Sequence, residues 1–277
     1  MPSLSTVQSL LNGIGLHYDV RLWLALFALV FARVTAAVVF APFLGGTSVP
    51  GLIKAGLGVI LSLVMLPALS STATENFPAS GLLFAALLVK EALVGATLGF
   101  LAQLVFYGVQ MAGTIVDTQR GMNQITFLAP QLEGHPSALG ALQFQAALVI
   151  FFALQGHLIF IRALMNSFRQ LPIWKMPQMG PGMLPLAEQA ARTSADALVL
   201  ACQIAAPVVL AIFLVDVAFA SAGRVASQIR ISHESFTAKA LVGLGFICLV
   251  SAMFLNQLEP AFRAMAHTVD RFIEAVR

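Results

Sequence analysis

The stretch LLFAALLVKEALVGATLGFLAQLVFYGVQMAGTIV, residues 82–116, has a single pair of charges, the adjacent Lys90 and Glu91, and is otherwise apolar or uncharged. A helix that crosses a bilayer needs about 20 largely apolar residues. This run is well beyond that length, so it reads as one long helix, tilted or broken, in surroundings other than water. Gly95 and Gly99 form a G-x-x-x-G pair, continued by Gly108 and Gly113. Small residues at this spacing let helix backbones approach closely. The reading they support is helix packing and nothing sharper.

Further apolar runs of spanning length flank this one. They are Leu22–Phe43, interrupted by Arg33; Leu52–Leu69, with Pro67 at its end; Leu139–Leu164; Ala195–Ala222, with Asp216 inside; and Ala240–Leu258. From Pro260 to Arg277 the residues Phe262, Met265, Val269, Phe272, Ile273 and Val276 recur at helical spacing with charges between them. That pattern predicts an amphipathic helix lying on a surface or a partner. The expected fold is therefore all-α: a multi-span membrane protein of about six long apolar helices plus a C-terminal amphipathic helix. The Gly/Pro-rich turn Ala41–Pro50 closes the first two runs into a hairpin. The link 169–194 carries Pro172, Pro177, Pro181, Pro185, Met176, Met179 and Met183, and separates an N-terminal helical half (20–168) from a C-terminal half (195–277) within one membrane domain, 1–277.

Composition agrees. Hydrophobic residues make up 59% of the chain and charged residues 10%, and the mean hydropathy is +0.90. Soluble domains average about 45–50% apolar and about 25% charged. So few charges could not coat a water-soluble globule without large exposed apolar patches. The formal net charge of +3 is spread along the chain and forms no nucleic-acid footprint. It suits segment ends beside anionic headgroups. No Lys or Arg precedes Arg21, so a signal peptide with a basic leader is not expected and the first apolar run should be retained. The basic residues divide so evenly between successive links that the positive-inside rule yields no clear orientation for a plain serpentine.

Ionised side chains inside apolar runs are expensive and need partners or water. Arg33, Lys90, Glu91 and Asp216 are such residues. Lys90 and Glu91 point about 100° apart on a helix, which disfavours pairing with each other and directs them to other helices or subunits. Asp216 could pair with Arg33 or with Lys90. A proton or ion relay and a structural ion pair are both open readings. Asp117-Thr-Gln119-Arg120-Gly121 suits a hydrogen-bonded helix end or a partner contact. Cys202 and Cys248 read as buried small hydrophobes, and the histidines are dispersed, so no metal or cofactor site is expected. Protease, hydrolase and nucleotide-binding motifs are absent from the sequence, and no enzymatic activity is expected.

Several stretches resemble a known family. Phe31–Leu57 is similar to the first hairpin of the FliR/SctT family of type III secretion export-apparatus proteins. Lys90-Glu-Ala-Leu-Val-Gly-Ala-Thr-Leu-Gly99 is similar to its "KE…G…LG" segment. Val116–Gly121 resembles the "(I)DNQRG" signature of the injectisome branch, with Thr118 where Asn is usual. Ala206–Phe219 resembles the family's "P…LL…D/E…LG" helix, and Lys239 falls where a "PxK" lysine does. The sequence departs from the pattern at Ala226–Arg230, in place of "APQLN", and at Thr237, in place of the proline.

The resemblance implies helices in bent hairpins, and assembly with SctR- and SctS-type proteins into an export gate in the bacterial inner membrane. SctU- and SctV-type proteins would lie nearby, and unfolded polypeptides would pass through. It also implies that part of the assembly sits on the periplasmic side. Arg33, Lys90, Glu91, Asp117, Gln119, Arg120, Asp216 and Lys239 would then be intersubunit or structural polar contacts, and Gly95, Gly99, Gly113 and Gly121 packing glycines. A flagellar export subunit and a proton-coupled small-molecule transporter are the alternatives.

Overall fold

The computed structural model describes residues 20–46, 49–69, 80–122, 137–176, 184–225 and 231–276. Among the described residues, seven helices carry the fold: α1 (Val20–Phe40), α2 (Gly51–Met65), α3 (Gly81–Gln119), α4 (Ala138–Ala153), α5 (Gly156–Gln170), α6 (Leu184–Val225) and α7 (Ile231–Val276). No strand occurs among the described residues. Among the described residues, four helical segments are long and apolar enough to cross a membrane: Val20–Phe40, Gly51–Leu69, Gly81–Gln119 and Glu188–Arg224. A fifth is obtained if α4 and α5 count as one broken span. The all-α, multi-span expectation therefore holds.

Three expectations about element boundaries need correction. The run Leu139–Leu164 is not one helix. It breaks after Ala153, and Gln155 adopts a positive φ of 57°, which ends helical propagation for a residue with a Cβ. The segments Ala240–Leu258 and Pro260–Arg277 are not separate. They form one helix, α7, which runs through Pro260. The links are also shorter than the polarity suggested. α5 extends to Gln170 and α6 starts at Leu184, because Leu184, Leu186 and the alanines beyond them are good helix formers. Met179 and Met183 lie outside the described residues.

Residues 82–116 do form one continuous helix. α3 has 39 residues, giving a length of about 58 Å. The hydrocarbon core of a bilayer is about 30 Å thick, and even a tilt of about 40° leaves α3 longer than that. Part of it lies outside the lipid core.

The described residues fall into two compact units interleaved in sequence. The first draws on Met1–Gln103, Leu158–Glu188 and Thr268–Arg277. The second draws on Leu104–His157 and Gln189–His267. In the first unit, α1 packs on α2. The buried positions of α1 are Ala25, Leu26, Leu29, Val30, Arg33, Val34, Ala37 and Val38. That is a helical stripe with a guanidinium at its centre. Leu87, Leu98, Phe160, Leu164 and Phe168 complete this core. In the second unit Phe106, Phe151 and Phe262 form a buried aromatic triad, with ring centroids 5.3, 5.4 and 5.1 Å apart, within the range of favourable aromatic pairs.

The glycines of α3 set its helix crossings. A Cβ at Gly95 would overlap the Arg33 carbonyl, and one at Gly99 would lie 2.6 Å from the Ala37 carbonyl oxygen. Gly95 and Gly99 are four residues apart, as are Arg33 and Ala37, so one i, i+4 ridge lies against another. In the second unit Gly108 faces the Ala197 carbonyl, and Gly113 faces the backbone of Gly140.

Candidate functional site

The buried ionic residues gather into two clasps, one in each unit. The first begins at Arg33, which is fully buried on α1. Its Nε donates to Glu91 Oε2 at 2.5 Å, Nη1 to Ser167 Oγ at 3.0 Å and Nη2 to the Leu171 carbonyl at 3.0 Å. The guanidinium carbon lies 4.1 Å from the centre of the Phe168 ring, a cation–π distance. Lys90 Nζ donates to the carbonyls of Pro172, Ile173 and Lys175 at 3.1, 2.9 and 3.0 Å. It also lies 2.7 Å from Glu91 Oε1. The adjacent pair thus does make contact, contrary to the expectation from their 100° separation. The lysine stem is long enough to fold back, although the contact lacks hydrogen-bond angles and leaves Glu91 Oε1 with no hydrogen-bond partner.

Charge explains the arrangement. Two cations and one carboxylate leave one excess positive charge in a buried place. The carbonyls that receive it belong to Leu171–Lys175, directly after the C-terminus of α5. The partial negative charge at a helix C-terminus favours a cation there, and the carbonyls of the turn that follows supply the acceptors. Arg33 and Lys90 therefore tie α1 and α3 to the end of α5.

The second clasp begins where α3 stops. Gly121, at φ 80°, occupies the left-handed position that ends helices. Its N–H donates to the Thr118 carbonyl at 3.1 Å and the Met122 N–H to the Asp117 carbonyl at 3.1 Å. These are the paired bonds of a Schellman cap, and glycine is favoured there because it lacks a Cβ. A Cβ at Gly121 would also meet the Phe236 ring at 2.7 Å. The Asp117 side chain caps α4: its Oδ2 accepts from Ser137 Oγ at 2.6 Å and from the Leu139 N–H at 3.0 Å. A carboxylate at a helix N-terminus is electrostatically favoured. Ser137 Oγ in turn accepts from the Gly140 N–H at 2.8 Å. Arg120 Nη1 reaches Asp117 Oδ1 at 3.2 Å, and the Arg120 side chain lies over Gly243 of α7. Gln119 is exposed.

Asp216 pairs with Lys239 Nζ, between α6 and α7. This corrects the expected pairing with Arg33 or Lys90: Arg33 and Lys90 are already engaged in the first unit. The Lys239 ammonium also lies 5.7 Å from the Phe236 ring centre. Cys202 is exposed rather than buried, and the Cys248 side chain lies outside the described residues. No group of three or more potential metal ligands occurs among the described residues.

The residues expected from sequence thus separate into Arg33, Lys90 and Glu91 on one side and Asp117, Arg120, Asp216 and Lys239 on the other. Ser137, Ser167 and Phe168 were not anticipated. Ser137 had a legible signal, a serine immediately before an apolar helical run. Ser167 had none, since its role depends on a residue 134 positions away.

Comparison with known proteins identifies the family to which these helices belong. The chain is 30% identical over 229 residues to flagellar biosynthetic protein FliR of Pectobacterium carotovorum subsp. carotovorum, covering 82% of this chain and 84% of that one. It is 29% identical over 246 residues to Yop proteins translocation protein T of Yersinia pestis, covering 88% and 91%. With secretion system apparatus protein SsaT of Salmonella typhimurium it shares 26% identity over 227 residues, covering 82% and 86%. The family profile described as bacterial export proteins, family 1, matches residues 24–265. That span holds every residue of both clasps and nearly all of the helical chain, and it bears out the FliR/SctT resemblance: the chain belongs to the bacterial export proteins, family 1.

Proposed function

We propose that this chain is a structural and gating subunit of an injectisome-type protein export gate in the bacterial inner membrane, and that it is not an enzyme. It assembles with SctR- and SctS-type proteins, beside SctU- and SctV-type proteins, around a path for unfolded polypeptides. The observation that carries this reading is the pair of clasps. Arg33, Lys90, Asp117 and Arg120 are tied at helix ends within the chain, which suits a rigid packing element better than a mobile proton carrier. Apolar side chains such as Leu52 (86% exposed), Val64 (70%) and Phe213 (59%) leave faces to be covered by lipid or by other subunits. The Asp117–Arg120–Gly121 helix end, with its likeness to the injectisome signature, supports the injectisome branch.

Relatives from flagellar export are equally similar, so a flagellar gate is the second reading. Complementation separates the two. The gene should restore secretion to an injectisome strain lacking its own SctT-type subunit and fail to restore motility to a strain lacking FliR. The reverse outcome selects the flagellar reading, and solute flux from the reconstituted chain alone would favour a transporter. Arg120→Ala should reduce co-purification of SctR-type partners severalfold with unchanged membrane fractionation. Normal co-purification of that variant rejects a partner-binding role for the second clasp.

A further inference from the structure

The clasps fix a surface that the proposed function does not use. Along α5, Phe160, Ala163, Leu164, Ser167 and Phe168 are buried, at i, i+3, i+4, i+7 and i+8. Arg33 grips this face through Ser167 and Phe168, which sets the roll of the helix. The opposite face, Leu158, Arg162, Asn166 and Arg169, is exposed, at i, i+4, i+8 and i+11. Lys175, exposed, and the partly exposed Trp174 follow in the turn held by Lys90.

This face carries positive charge without compensation from its own segment. From Gly134 to Ala187 the sequence contains no Asp or Glu. Neither Arg162 nor Arg169 makes an ion pair among the described residues. A lipid-facing helix would not present two guanidiniums and an amide to hydrocarbon. A short helix whose apolar face is buried in the protein and whose outer face carries Arg, with Trp and Lys in the turn that follows, suits contact of that outer face with the headgroup layer.

We propose that the outer face of α5, through Arg162, Asn166, Arg169 and Lys175, binds the headgroups of anionic phospholipids. The complementarity is of charge and shape: guanidiniums pair with phosphate oxygens in a two-pronged geometry. The interaction fastens the end of α5, and with it the first clasp, to the membrane surface.

Native mass spectrometry of the purified full chain in detergent tests this. Phosphatidylglycerol and phosphatidylcholine with identical acyl chains are titrated separately. The unaltered chain should retain phosphatidylglycerol in preference. The combined variant Arg162→Gln, Arg169→Gln, Lys175→Gln should lose that preference, by about a hundredfold given an attraction of about fivefold for each basic residue near an anionic surface. All three side chains are exposed, so the variant should keep the elution profile of the parent. The Arg162→Lys, Arg169→Lys variant should keep most of the preference, and Lys54→Gln, on α2, all of it. Equal retention of the two lipids by the unaltered chain overturns the proposal. So does undiminished phosphatidylglycerol retention by the glutamine variant. A photo-reactive residue at position 166 should capture phospholipid in cells, and capture of a polypeptide instead assigns the face to a protein partner and overturns the lipid assignment.

Discussion

The two clasps use the same residue types at different depths. In the first unit the side chains of Arg33 and Glu91 are 0% exposed and that of Lys90 8%. Four backbone carbonyls, a serine hydroxyl and an aromatic face complete their surroundings. In the second unit exposure rises from Asp117 at 5% and Arg120 at 15% to Asp216 at 42%. An ion pair deep in apolar surroundings is barely screened, and removing one member strands the other. A pair near the surface is screened and contributes little. Depth therefore assigns different roles: the first clasp sets the register of α1, α3 and α5, and the second trims the ends of α3 and α4 and the contact of α6 with α7.

The contrast breaks most directly at Glu91. Glu91→Ala leaves Arg33 and Lys90 buried with an unbalanced pair of charges and should cost about 3–5 kcal/mol. Thermal unfolding of the purified chain in mild detergent reads this, and a loss no larger than that of Asp216→Asn would erase the distinction between the clasps. Gly95→Val comes next. Its side chain would collide with the backbone at Arg33, which cannot swing aside as a flexible side chain could, and the cost should be about 1–3 kcal/mol. Parental stability would show that the α1–α3 crossing is adjustable.

Asp117→Ala removes the acceptor for Ser137 and for the Leu139 N–H, and should cost about 1.5–3 kcal/mol, the range for hydrogen bonds to a charged group. Hydrogen exchange at the first turn of α4 should rise together with the fall in stability. Exchange that rises elsewhere but not there would contradict the capping role. The smallest effect belongs to Asp216→Asn, at about 0.2–1 kcal/mol. Where the exposed edge of Asp216 meets water and not lipid, that cost shrinks further as salt is raised, whereas the cost of Glu91→Ala should hold. A salt-independent loss at Asp216 would place that pair with the buried class.

The sequence made the helices legible because spanning length and composition are local properties. The run 82–116 reads as one long helix, tilted or broken, and it is one continuous helix. The hairpin turn at 41–50 was legible from its glycines and prolines. Breaks and joins were less so. Leu139–Leu164 is apolar throughout most of its length, and its local interruption, Gln155-Gly156-His157, does not by itself say that Gln155 is the residue that turns to positive φ. Pro260 suggested a boundary, yet the helix passes through it, because α7 holds Leu258, Phe262 and Met265 in a buried stripe on both sides of the proline. Asp117 and Arg120 were recognisable as a helix end, since the Gly that follows is a local signal. The partners of Asp216 and Arg33 were not recognisable, since they lie on other helices.

By itself the sequence determined that this chain builds long helices for surroundings other than water, and which few charged residues must be held within them. Each of those follows from what a segment contains. Only the tertiary structure decided who holds whom: Arg33 with Glu91 and the end of α5, Lys90 with three carbonyls, Asp216 with Lys239. The reason is energetic. An apolar environment requires every charge to find a partner, but it names none, and the choice falls to whichever groups the helix crossings at Gly95, Gly99 and Gly113 bring within reach.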